Sequence, residues 1–436
     1  MSTCTRLSLS LAIAALHFMT LGTTLQAAEA RFGRVLPGVT QTQVSEGART
    51  ETSAWVVNLG TSSASIEFKF LPSSNASAPP AQVRALGPGE TLRLSNVLLD
   101  LFGLGEGEGA LVVRSDQPFE VRGINSNFSN PPGASGQGLN ALASSELLAP
   151  TSTVHSLWLA NRSEAEQELR TDITAVLAAP NTRLTVSVYD ASGVLRGIEV
   201  VSSEEPAIWR TSVSRFLSDP EIPLGRVKFA VTAGEATGFL SVNGGVAGGR
   251  LVAQSERIAV SNPEGTSLLL NGVGASTTLR LFNPNETEQE ITIEAVGFPG
   301  GPATIRRISL AANGLVEIPG VLGADGFVFP EGAVGALRLR AALPFLATGR
   351  GLPVTVAYEN GFARQKQIAT LVGLNENVEQ PGRRSRIALL SGAAGANGIL
   401  RLRNTRGESI ATSPVQLEAN EWKGQPVATW FANIEI

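Results

Sequence analysis

The residue types that could do chemistry are few in this chain, and they do not converge. Two histidines occur, His17 and His155. A Ser-His-Asp site would have to use His155 as its base. It sits in "TSTVHSLWL", and no G-x-S-x-G nucleophile elbow accompanies it anywhere in the chain. A lone histidine between two sequence units is expected to be structural. The single cysteine, Cys4, cannot assemble a Cys/His zinc site. "GLGEGEGA" places Glu106 and Glu108 in a glycine-rich loop, where carboxylate oxygens could meet calcium. No EF-hand spacing and no aspartate-rich repeat surrounds them, so an inter-strand connection is the expected role. The same glycines lack the Lys-Ser/Thr of a phosphate loop. A carboxylate pair for glycoside hydrolysis has no recognisable pattern among the scattered acids. Sugar binding would call on aromatic platforms. Of five tryptophans, Trp55 falls in a strand and is expected in a core, while Trp158 and Trp209 are the candidates for glycan contact. No catalytic residue, cofactor or metal site is expected. Sequons stand at Asn75, Asn127, Asn161 and Asn285, and a Ser- and Asn-rich chain produces such triplets by chance.

Composition limits what such residues could serve. The chain has 436 residues, enough for three or four domains. Its net charge is −4, so no basic field exists to hold a nucleic acid backbone. Gly (46) and Pro (24) suit a protein with many turns. The first thirty residues, "MSTCTRLSLSLAIAALHFMTLGTTLQAAEA", carry Arg6, an apolar run from Leu7 to Leu21, and small residues at Ala28 and Ala30. That pattern is expected to be a signal peptide cut after Ala30. The run is shorter than the roughly 20 residues of a membrane span. Cleavage would remove Cys4 and His17, leaving an exported chain with neither thiol nor disulfide. Such a chain depends on core burial alone.

The remainder repeats itself. "GALVVRSDQPFEVRG" (Gly109 to Gly123) returns as "GALRLRAALPFLATG" (Gly335 to Gly349), matching at seven of fifteen positions. "AWVVNLG" aligns with "TLRLFNP" at Asn283 and with "ILRLRNT" at Asn404. "LGPGETLRL" aligns with "LAANGLVEI" and with the segment beginning at Leu417. A worn copy, "RTDITAVLAA", parallels "RTETSAWVVN" and puts Ala179 where the others have Asn. Four units follow: 34–150, 151–262, 263–384 and a partial one at 385–436. A domain-sized period marks an array of domains, not a solenoid of short repeats.

Each unit reads as β. "SASIEFKFLP", "TRLTVSVYD" and "QEITIEAVGF" alternate apolar and polar residues with period two. "GPGE", "DASG", "AANG" and "NPNE" supply turns, and the one at Asp190 to Gly193 predicts a hairpin. Short helical turns are expected at "SNVLLDLFG" and "SVSRFLSD". The fold class is all-β: tandem antiparallel β-sandwich domains of immunoglobulin-like type, with a closed barrel as the other possibility. Phe119 and Phe345 are expected in their cores, with the glycines flanking the repeated stretch serving turns. The last unit stops before its "GALVV" and "PFEVRG" strands, so the chain is expected to be a fragment or to receive strands from a partner.

The segments "RTDITAVL…TVSVYDASG", "LGPGETLRLSNVLLDLFG" and "GALVVRSDQPFEVRG" resemble those of secreted, multi-repeat β-sandwich proteins of environmental bacteria. The likeness covers nearly the whole chain after residue 30, and it specifies strands and turns. It implies no catalytic residue. The expected role is a non-enzymatic extracellular or cell-envelope protein for adhesion, scaffolding or surface display. A glycan-binding protein and an accessory part of a secreted hydrolase are the alternatives. The expected partner is an unknown protein or glycan outside the cell, with no nucleic acid and no membrane span.

Overall fold

The computed structural model describes residues 32–350 and 386–431, apart from 46–47, 74–76, 130–132, 144–146, 162–168, 218–220, 245–249, 255–265, 275–276, 297–304, 323–326, 328–333 and 393. The expected signal peptide and Asn75 lie outside the described residues. No described helix is long and apolar enough to cross a membrane.

The first unit contains β1 (Phe32–Ser45), β2 (Ala48–Asn58), β3 (Ala64–Pro72), β4 (Gln82–Leu86), β5 (Thr91–Leu94), α1 (Val97–Phe102), β6 (Gly107–Ser115), β7 (Phe119–Ser129), β8 (Gly133–Asn140) and β9 (Leu142–Ala143). One sheet runs β4-β3-β6-β1, and we call it the hairpin sheet. The other, the companion sheet, runs β5-β2-β7-β8. β1 belongs to both. Its first part lies along β6, a bulge at Pro37 to Val39 turns it, and its last residues pair with β2.

The second unit repeats this plan with β10 (Thr153–Asn161), β11 (Leu169–Leu177), β12 (Thr182–Asp190), β13 (Leu195–Ser203), β14 (Ala207–Ser212), a 3₁₀ turn (Val213–Phe216), β15 (Ile222–Ala233), β16 (Ala236–Gly244) and β17 (Arg250–Gln254). Its sheets run β13-β12-β15-β10 and β14-β11-β16-β17, the same order strand for strand. The third has β18 (Thr266–Gly274), β19 (Thr278–Phe282), β20 (Gln289–Val296), β21 (Ile305–Leu310), β22 (Leu315–Ile318), β23 (Val334–Ala341) and β24 (Leu346–Arg350). These form β21-β20-β23-β18 and β22-β19-β24. The fourth has β25 (Arg386–Leu390), β26 (Ala396–Arg403), β27 (Ser409–Leu417), β28 (Trp422–Pro426) and α2 (Val427–Trp430). There β25 pairs with β28 and β26 with β27. The protein is therefore all-β, a tandem array of antiparallel sandwiches.

Alternation in the sequence becomes burial in the structure. Along β3, Ala64, Ile66, Phe68 and Phe70 all point inward and are buried, while Ser65, Glu67 and Lys69 face out. Each buried Phe contributes about 1.5–3 kcal/mol by leaving water. Phe119 and Phe345 lie in the cores of the first and third units. Both expected helical turns form. Asn96 caps α1 by accepting from the Leu99 amide at 3.1 Å, and Asp100 returns the bond to the Asn96 amide at 3.0 Å.

The glycines bounding the repeated stretch do not serve turns. Gly109 and Gly123 sit within β6 and β7. A Cβ on Gly109 would lie 2.0 Å from the Leu71 carbonyl oxygen, and one on Gly123 3.0 Å from Leu36. The requirement is close approach between strands, not a left-handed backbone.

The repeated asparagine is a buried clasp. The Asn58 amide nitrogen donates to the carbonyls of Ser62 (2.8 Å), Leu86 (3.1 Å) and Gly87 (3.0 Å), and its oxygen accepts from the Gly60 amide. Asn283 does the same with Thr287 (2.8 Å), Leu310 (3.1 Å), Ala311 (2.9 Å) and the Asn285 amide. In the fourth unit that place belongs to Ser391, not Asn404. Ser391 bonds the Glu418 carbonyl and accepts from the Glu421 amide. Asn404 instead begins the β26–β27 turn. In the second unit the residue is Leu177, not Ala179. Thr52 clasps the backbone of Thr40, and Thr171 clasps that of Ala160 in the same way. Six residues beyond these threonines stand Asn58 and Leu177 respectively.

Candidate functional site

The charged and aromatic residues that sequence reasoning could not place gather between the sandwiches. β19 shows how. Leu279 and Leu281 enter the core of the third unit, so Arg280 and Phe282 face the opposite way. In β15, Val227 and Phe229 enter the second core and Arg226 faces out. Both outward arginines are nevertheless buried, Arg226 at 4% exposure and Arg280 at 5%. Each lies in the border where the companion sheet of the third unit covers the hairpin sheet of the second.

Two clusters make that border. In one, the Arg226 guanidinium lies between the rings of Tyr189 and Phe282, at 3.9 and 4.2 Å from their centroids. Its Nη1 stands 3.3 Å from Nδ1 of His155, and the His155 ring packs against Phe282 at 5.1 Å. Burial, with Arg226 and Lys228 adding to it, lowers the His155 pKa to about 3, so the ring is neutral at ordinary pH and Nδ1 can accept. Burial also lowers the Arg226 pKa to about 10, partly offset by Tyr189 and Asp190, which leaves it charged. In the other cluster, Arg280 Nε donates to Glu317 at 2.7 Å, and Nη1 donates to the Leu157 and Leu159 carbonyls across the border. Its guanidinium covers Trp158 at 4.4 Å. Leu157 of the second unit and Phe282, Leu315 and Leu346 of the third form a small apolar core beside them.

The other borders use the same two faces. Val176 and Phe239, on the companion sheet of the second unit, enter the core cluster of the first. Arg210 beside them bonds Glu108 of the first unit at 2.7 Å and Asp172 of its own. Desolvation opposes its charge, but Glu108 and Asp172 outweigh that and raise its pKa. At the third border, Arg338 of β23 bonds the Asn420 side chain at 3.0 Å, beside the start of β28.

These placements locate the residues singled out from sequence. Trp158 is half-buried under Arg280 and packs against the second core. Trp209, in β14, is half-buried against the same core. Trp55 differs from expectation. Its neighbours Ala54 and Val56 point into the core, so Trp55 lies on the outer face of its sheet, opposite Arg93 and Arg122. Glu106 is exposed, whereas Glu108 belongs to the first border. No group of three or more metal-ligating side chains occurs among the described residues. Arg226, Arg280, Tyr189 and Phe282 escaped sequence reasoning. No signal in the sequence marks them: in "TLRLF" the outward neighbours of Arg280 are the polar Thr278 and the apolar Phe282.

No family model matches this chain, and no curated protein or solved structure matches it either.

Proposed function

We propose that this chain is a non-enzymatic scaffold, exported to the cell exterior or envelope, whose docked sandwiches hold a fixed spacing for adhesion or surface display. One observation carries the reading: the arginine, histidine and aromatic groups best suited to chemistry are used in fastening one sandwich to the next. His155 has its acceptor nitrogen beside Arg226 and its ring against Phe282. Arg280 has its donors on Glu317 and on backbone carbonyls. Groups engaged in this way at buried borders give geometry instead of turnover.

The test is binding of the purified chain to a panel of polysaccharides, whole cells and matrix proteins. A scaffold gives no saturable binding to soluble glycans. An adhesin binds cells or matrix protein, and that binding survives Trp158→Ala and Trp209→Ala. Saturable binding to one glycan class, lost in either variant, contradicts the proposal and favours a glycan-binding protein.

A further inference from the structure

Two borders far apart in sequence are made by one contact. Between the second and third units, the β12–β13 turn is tied by Asp190, whose carboxylate accepts from the Ser192 amide at 3.0 Å and the Val194 amide at 2.9 Å. Gly193 N donates to the Asp190 carbonyl at 3.1 Å. From this turn the Ala191 carbonyl accepts from the amide of Leu315, the first residue of β22, at 2.9 Å. Gly193 lies against Asn313.

The β26–β27 turn of the fourth unit is built alike. The Asn404 side-chain oxygen accepts from the amides of Arg406 and Glu408, each at 3.0 Å, and Gly407 N donates to the Asn404 carbonyl at 3.0 Å. Its Thr405 carbonyl accepts from the amide of Thr91, the first residue of β5, at 2.7 Å. Gly407 lies against Gly89. Each participant has a counterpart: Asp190 and Asn404, Ala191 and Thr405, Gly193 and Gly407, Leu315 and Thr91, Asn313 and Gly89. Even the backbone agrees, with φ of 84° at Gly193 and 80° at Gly407, and 56° at Asn313 and 72° at Gly89. β5 and β22 hold the same place in their companion sheets.

We propose that the fourth unit docks on the first through this lock, so that the four units close into a cycle within one chain. Every other border sets the companion sheet of a later unit on the hairpin sheet of an earlier one. This contact sets the companion sheet of the first on the hairpin of the fourth, which completes the circuit. The occupant of the open face of the first unit, with Trp55, Arg93 and Arg122 on it, is then the fourth unit of the same chain. A heterologous contact of this kind either closes or propagates from copy to copy.

Thr91→Cys with Thr405→Cys, in a Cys4→Ser background, separates these outcomes. The 2.7 Å backbone bond between the two residues holds their main chains in contact, within the span of a short bismaleimide. Closure predicts one fast-migrating monomer band on a non-reducing gel, with a yield unchanged by dilution. A ladder of oligomers whose yield falls on dilution overturns the proposal in favour of a second copy. Two free thiols in a folded chain overturn it outright. Hydrogen exchange covers a variant that fails to fold. The Thr91 amide of the unmodified protein is protected, and Gly407→Ala, whose Cβ would lie 2.5 Å from the Gly89 carbonyl oxygen, abolishes that protection. Rapid exchange at Thr91 in the unmodified protein also overturns closure.

Discussion

Asn283 and His155 are each buried, and each is held by what surrounds it. The Asn283 side chain answers three backbone carbonyls, those of Thr287, Ala311 and the buried Leu310. A buried acceptor left without its donor costs about 1–3 kcal/mol. Asn283→Ala is therefore expected to destabilise the third unit by about 3 kcal/mol in denaturant unfolding, with the other units unaffected. His155 gives a pH signature. Its pKa is about 3 in the folded protein against an ordinary 6.5. Below pH 6.5 the unfolded chain binds a proton that the native chain refuses, so stability falls as pH drops from 6.5 toward 3. The slope from this group is about 1.4 kcal/mol per pH unit. His155→Gln keeps an acceptor for Arg226 and removes the titration. Unfolding measured across that window should show a flatter pH dependence for the variant, and equal slopes would rule out a buried neutral His155.

At the scale of the element, the strands are tight enough that single atoms matter. Gly109→Ala puts a methyl group against the Leu71 carbonyl, where a Cβ has only 2.0 Å. It is expected to cost about 3 kcal/mol through displacement of β3 from β6, seen as a lowered thermal midpoint and faster amide exchange at that pair. A Gly105→Ala control, with nothing within 4 Å of its Cβ, should leave both unchanged. Much of this level was legible beforehand. Period-two alternation located β3, β12 and β20, and the "DASG" turn located the β12–β13 hairpin. Phe119 and Phe345 sit where the repeated motif put them. The register of the worn copies was less legible, because Leu177 and Ser391 replace the asparagine and only strand pairing reveals the equivalence. The borders were hidden for a different reason. Alternation marks one buried face, and nothing in "TLRLF" says that its second face is covered as well. Arg280 and Arg226 therefore look solvated until the neighbouring sandwich is in place. Trp55 misled in the opposite sense, since a tryptophan in a strand suggests the core whichever face it occupies.

For the whole molecule, one rule of assembly recurs: the companion sheet of one unit covers the hairpin sheet of another. Units that contact their neighbours through a common interface add their stabilities roughly as a sum of unit and border terms. The borders here contain buried arginines, Arg226 and Arg280, whose partners come from both sides. Separating the units would strip Arg280 of the Leu157 and Leu159 carbonyls and Arg226 of the Phe282 ring together, so the border is held as a unit and not as a loose tether. This distinguishes a fixed scaffold from beads on flexible linkers, although both would carry the same sandwiches. Small-angle X-ray scattering of the full chain in solution tests that distinction most directly. The account predicts a single profile reproduced by the docked arrangement, independent of protein concentration. A profile that requires an ensemble of independently moving sandwiches would contradict it.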